Sequence, residues 1–208
     1  MTKSTSINRP STASLQGTVH YIGHFSAALG GELLLRAENA LRCRFGEDTD
    51  RRVRFQFGEP PFYSFEEAVL TYGRLFDRAL IPDGRRLGPQ KQCYRNALTA
   101  AFRSVGRDNP LTYCEGFAMP FALGIVVEHA WLVDRDGRVI DPTWDDADSC
   151  GYVGVPLTLE HMAASQRRKN FYGHLGVPYQ RLYESGLPAT ALAQVTLASD
   201  LLAMEDQD

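Results

Sequence analysis

Hydrophobic and polar positions change period several times along the chain, and each change predicts an element. From Glu32 to Cys43, apolar Leu33, Leu34, Leu35, Ala37, Ala40 and Leu41 recur at helical spacing. Arg52 to Phe57 alternates Val53, Phe55 and Phe57 against polar neighbours, the period of a half-buried strand, until Gly58-Glu-Pro-Pro61 breaks it. Ser64-Phe-Glu-Glu67 has the form of a capping box and opens a helix expected to reach about Leu80, before Pro82-Asp-Gly84. A further helix carries Tyr94, Ala97, Leu98, Ala101, Phe102 and Val105, with Gly106 as its C-terminal stop. Strands are expected at Leu111–Ala118, Ile125–Asp134, Arg138–Pro142 and, more briefly, Tyr152–Val155. Helices are expected from Leu157 to about Arg168 and from Ala189 to Met204. A short strand at Thr18–Phe25 follows an N-terminal segment, 1–15, whose lack of apolar period predicts disorder.

The resulting class is α+β. The domain is expected over 16–208: a helix-and-strand wall (16–84), a central core (85–156) and a C-terminal helical part (157–208). Composition changes this picture little. At 44% hydrophobic and 23% charged the chain can bury a core, and a net charge of −3 offers no global attraction to nucleic acid or anionic lipid. No apolar run is long enough to span a bilayer, and Met1–Gly17 is Ser/Thr-rich without a signal-peptide core, so a cytoplasmic location is expected. The four cysteines, Cys43, Cys93, Cys114 and Cys150, contain no C-x-x-C pair and read as free thiols.

The chemistry concentrates in Val127–Trp144. If Arg135-Asp136-Gly137 is a three-residue loop with Gly137 left-handed, Asp134 pairs with Arg138 and Trp131 with Asp141. His129 and Asp141 then share a sheet face as diagonal neighbours, roughly 7 Å apart at the backbone, where a carboxylate can fix the imidazole tautomer. A two-residue loop would put Asp141 on the other face. Cys93 stands where the second long helix begins, on the stripe of Ala97 and Ala101. A thiol there feels the positive end of the helix dipole, and a nearby imidazole favours its ionisation further. Its own N–H, in the unsatisfied first turn, can donate to an oxyanion, with Gln92 or Gln90 as second donor.

Cys93 with small Ala97 on a helix start, His129-Ala-Trp-Leu-Val133, Gly137 in the turn and Asp141-Pro-Thr143 together resemble the transglutaminase-like branch of the papain-like thiol enzymes. The resemblance spans about residues 88–156. It implies a Cys93–His129–Asp141 triad working through a thioester acyl-enzyme without a cofactor, on a protein, peptide or small amide substrate. Release would be to water, as in a peptidase or amidase, or to an amine, as in a transamidase. An acyltransferase, or a catalytically silent papain-like binding module, are the alternatives. Tyr94 stands where that family often has Trp, and neither C-G-S-C-W nor R-G-G-x-C is present.

Other residues carry weaker signals. Cys114, in Tyr113-Cys-Glu-Gly-Phe117, is a rival nucleophile or a lining residue of the site floor, and Glu115 a substrate contact or a solvated strand edge. Trp144 is a core residue or part of a substrate groove. His20 and His24, spaced as metal ligands on a helix, lie in a strand-like stretch. Asp145, Asp146 and Asp148 read as an acidic loop, so no metal site is expected, and His161 and His174 read as structural.

Overall fold

The computed structural model describes residues 31–32, 35–36, 64–76, 87–120, 122–145, 150–169, 173, 175, 177, 182 and 185–195. The segment at 1–15 and the strands expected at 18–25 and 52–57 lie outside them. Of the helix expected at 32–43, residues 32, 35 and 36 are described and helical, as is residue 31 before it.

Helix α1, Phe65–Tyr72, begins as the capping box requires: Ser64 Oγ accepts the Glu67 N–H at 3.2 Å. It ends well short of Leu80. The Gly73 N–H closes on the Val69 carbonyl at 2.7 Å, and a Cβ at Gly73 would stand only 2.3 Å from that oxygen. The chain then turns into strand β1, Arg74–Phe76, which pairs antiparallel with β5. The apolar spacing of Tyr72 and Phe76 is compatible with one helical face, but pairing with β5 and burial of Phe76 decide for a strand.

Helix α2, Cys93–Ser104, buries Ala97, Leu98 and Ala101, and Gly106 follows at φ 77°. Strands β2 (Thr112–Pro120), β3 (Val127–Val133), β4 (Val139–Ile140) and β5 (Cys150–Leu157) complete a five-stranded antiparallel sheet of order β1-β5-β2-β3-β4. β2 lies at its centre, between β5 and β3, which is why Tyr113 to Met119 are buried without interruption. Helix α3, Leu159–Lys169, follows β5.

Alternation along the strands divides the core into two. Tyr113, Phe117, Leu132, Val155 and Leu157 face the larger cluster, which also takes in the inner residues of α1 and α2. Cys114, Ala118, Trp131, Val133, Val139 and Tyr152 face the smaller one. The Trp131 ring lies close over Gly154, where a Cβ would come within 2.4 Å of its Cη2; only glycine leaves room there.

The helix expected from Ala189 does not form over the described part. Ala189–Ala191 is a single 3-10 turn, after which Leu192 bridges Leu157 and the Ala193 N–H bonds the Pro156 carbonyl at 3.0 Å. Docking of this backbone on the end of β5 outweighs the helical preference of the alanines. Among the described residues no helix is long and apolar enough to cross a membrane.

Candidate active site

The β3–β4 turn has the form that the site requires. Gly137 is left-handed at φ 75°, and the Asp134 N–H bonds the Arg138 carbonyl at 3.0 Å. Leu132 pairs with Ile140 and Val133 with Val139, the register expected for a three-residue loop. Asp134 fixes the turn: its Oδ1 accepts the N–H groups of Asp136 (3.0 Å) and Arg138 (2.9 Å), and its Oδ2 the Arg138 guanidinium.

With this register, His129 Nε2 and Asp141 Oδ2 meet at 2.6 Å, with 2% and 1% of the two residues exposed. The carboxylate has further donors. Its Oδ1 accepts the backbone N–H groups of Thr143 (2.7 Å) and Trp144 (3.1 Å), and its Oδ2 also accepts the Tyr152 hydroxyl (3.0 Å). Both oxygens therefore face donors, which offsets the cost of burying the carboxylate. Trp144, half-buried, stacks on the imidazole with centroids 3.9 Å apart and planes at 16°. Its π face favours a cation in that ring.

Cys93, half-buried, is close enough to His129 to act on its imidazole, and with Nε2 taken by Asp141 the nitrogen left to face a thiol is Nδ1. The edge of the sheet makes this approach possible. β4 ends at Ile140, so β3 beside His129 has no pairing strand on that side among the described residues. The start of α2 takes the place, tied down by a bond from the Gly88 N–H to the Pro142 carbonyl at 2.7 Å and one from Asn96 Nδ2 to Thr143 Oγ1 at 3.1 Å. Just before the helix, Lys91 adopts a left-handed backbone at φ 61°, a strained conformation that turns the chain into Gln92 and Cys93.

The start of α2 is also electrostatically bare. Gln92, at the N-cap, makes no side-chain capping bond, and the first turn contains no acidic residue. The dipole end is thus available to an anion at Cys93. Burial alone would lower the His129 pKa, but the hydrogen bonds to Asp141 and Cys93 and their charges outweigh it and raise it from 6.5 to about 9.

The structure brings Cys93, His129, Asp141 and Trp144 together and sends two expected site residues elsewhere. Cys114 is fully buried in the smaller core, where burial and then Glu115 raise its thiol pKa well above the ordinary value. It offers no surface to a substrate and no ready thiolate. Glu115 is neither a solvated edge nor a substrate contact. Fully buried on the central strand, it accepts the Tyr113 hydroxyl at 2.8 Å and the Leu175 N–H. Gln92 and Gln90 are exposed, Gln92 next to Cys93 with its Oε1 3.4 Å from Arg95 Nη1.

Tyr152 and Asn96 are residues that sequence reasoning missed. Tyr152 looked like an ordinary strand aromatic, and nothing local marks its hydroxyl for Asp141. Asn96 is a polar residue one helical turn after the cysteine, a position whose partner comes from a distant strand end. His161 is structural, Nε2 lying 2.8 Å from the Leu175 carbonyl. No cluster of three or more His, Cys, Asp or Glu suited to a metal occurs among the described residues; His20, His24, Asp146, Asp148, His174 and Cys43 lie outside them. No family model, curated protein or solved structure matches this chain.

Proposed function

We propose that the protein is a thiol-dependent amide-bond hydrolase, a peptidase or amidase, with a papain-like core of the transglutaminase-like kind. One observation carries the reading: a buried His129–Asp141 pair whose imidazole interacts with a cysteine at an uncapped helix start. In this reading Cys93 is the nucleophile, His129 the general acid and base, and Asp141 the group that orients and charges the imidazole.

The Cys93 sulfur attacks the carbonyl carbon, and the oxyanion is met by the Cys93 N–H and the Gln92 side-chain amide. His129 Nδ1 gives its proton to the leaving nitrogen as the C–N bond breaks, which leaves a thioester and a free amine. Water then attacks the thioester, with Nδ1 taking its proton, and the acid departs as the thiol is restored. An amine in place of that water makes the same site a transamidase, and the choice rests on the acceptor admitted to it.

The test is a panel of short peptide amides, with and without hydroxylamine as competing acceptor, quenched in acid and read by intact mass. Expected is an acyl adduct on Cys93 that is absent from Cys93→Ser, with a hydroxamate product where transfer competes. No adduct and no turnover across the panel, with Cys93 alkylated no faster than a free thiol, would turn the reading toward a silent binding module.

A further inference from the structure

The triad is assembled from two pieces of chain that no strand pairing joins. His129 and Asp141 belong to the β3–β4 hairpin, whereas Cys93 begins a helix preceded by an irregular segment, 87–92. What holds the second piece against the first is a small polar joint centred on Asn96. Its Nδ2 donates to the Pro89 carbonyl at 2.8 Å and to Thr143 Oγ1 at 3.1 Å, while its backbone N–H makes the first bond of the helix, to the Gln92 carbonyl at 2.8 Å.

The joint is closely built. Gly88 bonds the Pro142 carbonyl, and a Cβ there would stand 2.3 Å from the Asn96 amide, so a larger residue would push that amide aside. Thr143 belongs to both halves: its side-chain oxygen receives Asn96, and its backbone N–H donates to Asp141 Oδ1 at 2.7 Å. A closed circuit results. It runs from Cys93 along one helical turn to Asn96, across to Thr143, to Asp141, to His129 and back to the thiol.

We infer that Asn96 is a positioning residue that sets the distance between the Cys93 sulfur and His129 by tying the loop and first turn of the nucleophile helix to the Asp141–Thr143 chain. The inference rests on the proposed thiol chemistry. An amide is suited to the place because both partners, the Pro89 carbonyl and Thr143 Oγ1, accept from the same NH₂ group. A carboxylate would present no donor, and an alanine would leave the buried Thr143 oxygen without this partner and the loop free to shift. Displacement by about 1 Å is enough to cost two orders of magnitude in a reaction that depends on alignment.

The test is the pH–rate profile of Cys93 alkylation by iodoacetamide, read by mass spectrometry, in wild type, His129→Ala, Asn96→Ala, Thr143→Val and Thr143→Ser, with denaturant melts to establish folding. Expected is that Asn96→Ala, folded, loses on the order of tenfold to a hundredfold of the near-neutral rate. Its profile should move toward that of His129→Ala, and combining the two substitutions should add little. Thr143→Val should show the same shift, and Thr143→Ser should restore what it loses. If Asn96→Ala does not fold, the Thr143→Val and Thr143→Ser pair decides. His129-dependent labelling of wild type that is unchanged in folded Asn96→Ala, or in Thr143→Val, overturns the role of the joint alone. Wild-type labelling that does not depend on His129 overturns the proposed chemistry beneath it.

Discussion

Two carboxylates are buried in one sheet, Glu115 on the face that packs against the helices and Asp141 beside the smaller core, and their surroundings give them different work. Glu115 accepts the Tyr113 hydroxyl and the Leu175 N–H, tying a residue 60 positions further along the chain to the central strand. Asp141 accepts two backbone N–H groups and the Tyr152 hydroxyl, and then a histidine that also interacts with a half-buried thiol. Burial and satisfied oxygens are common to both. What sets Asp141 apart is a titratable partner that itself interacts with a thiol.

The largest effects should come from substituting each carboxylate by its amide. Both Asp141 oxygens accept, so Asp141→Asn must turn an NH₂ toward donors. With Oδ1 kept for the Thr143 and Trp144 N–H groups, the amide nitrogen faces His129 Nε2 and imposes the opposite tautomer, with the ring proton on Nδ1. Alkylation of Cys93 near neutral pH should then fall on the order of a hundredfold in a folded protein. Glu115→Gln should do the reverse, keeping Cys93 reactivity while denaturant melts show a loss of about 2 kcal/mol. Equal effects of the two on reactivity would dissolve the distinction.

Among the effects on stability, the largest is a pH dependence that belongs to Asp141's histidine. Because folding raises the His129 pKa from 6.5 to about 9, its contribution is fully present below pH 6.5 and is lost as pH rises through 9. Wild type should lose on the order of 3 kcal/mol more than His129→Gln across that interval in denaturant melts. Smaller again, Tyr152→Phe removes one bond to Asp141 and should cost about 2 kcal/mol of stability, with less loss of Cys93 labelling than Asp141→Asn. The smallest effect lies outside the comparison. Lys91→Gly should relieve the left-handed strain and raise stability by about 1 kcal/mol at unchanged fold, read from the same melts.

The legibility of these parts in the sequence follows the range of the interactions that make them. Gly137 in a three-residue turn is a local signal, and it sets the register that puts His129 and Asp141 on one face. Ser64 and Glu67 likewise announce a helix start. The end of α1 was not legible, because pairing of Arg74–Phe76 with β5 is set by residues far along the chain. Glu115 reads as an edge residue until β2 is known to be central, with partners on both sides. The Ala189 turn, Tyr152 and Asn96 share that difficulty: each is decided by a backbone or side chain brought in from elsewhere.

The proposed chemistry makes Cys93, unlike the buried Cys114, a nucleophile coupled to His129. The most direct measurement is the rate of iodoacetamide labelling at each cysteine against pH, in wild type and His129→Ala. Rapid labelling of Cys93 below pH 7, about the region where an ordinary thiol is still protonated, with Cys114 silent and the Cys93 advantage gone in His129→Ala, is the expected result. Labelling of Cys93 that follows an ordinary thiol titration and ignores the mutation would contradict it.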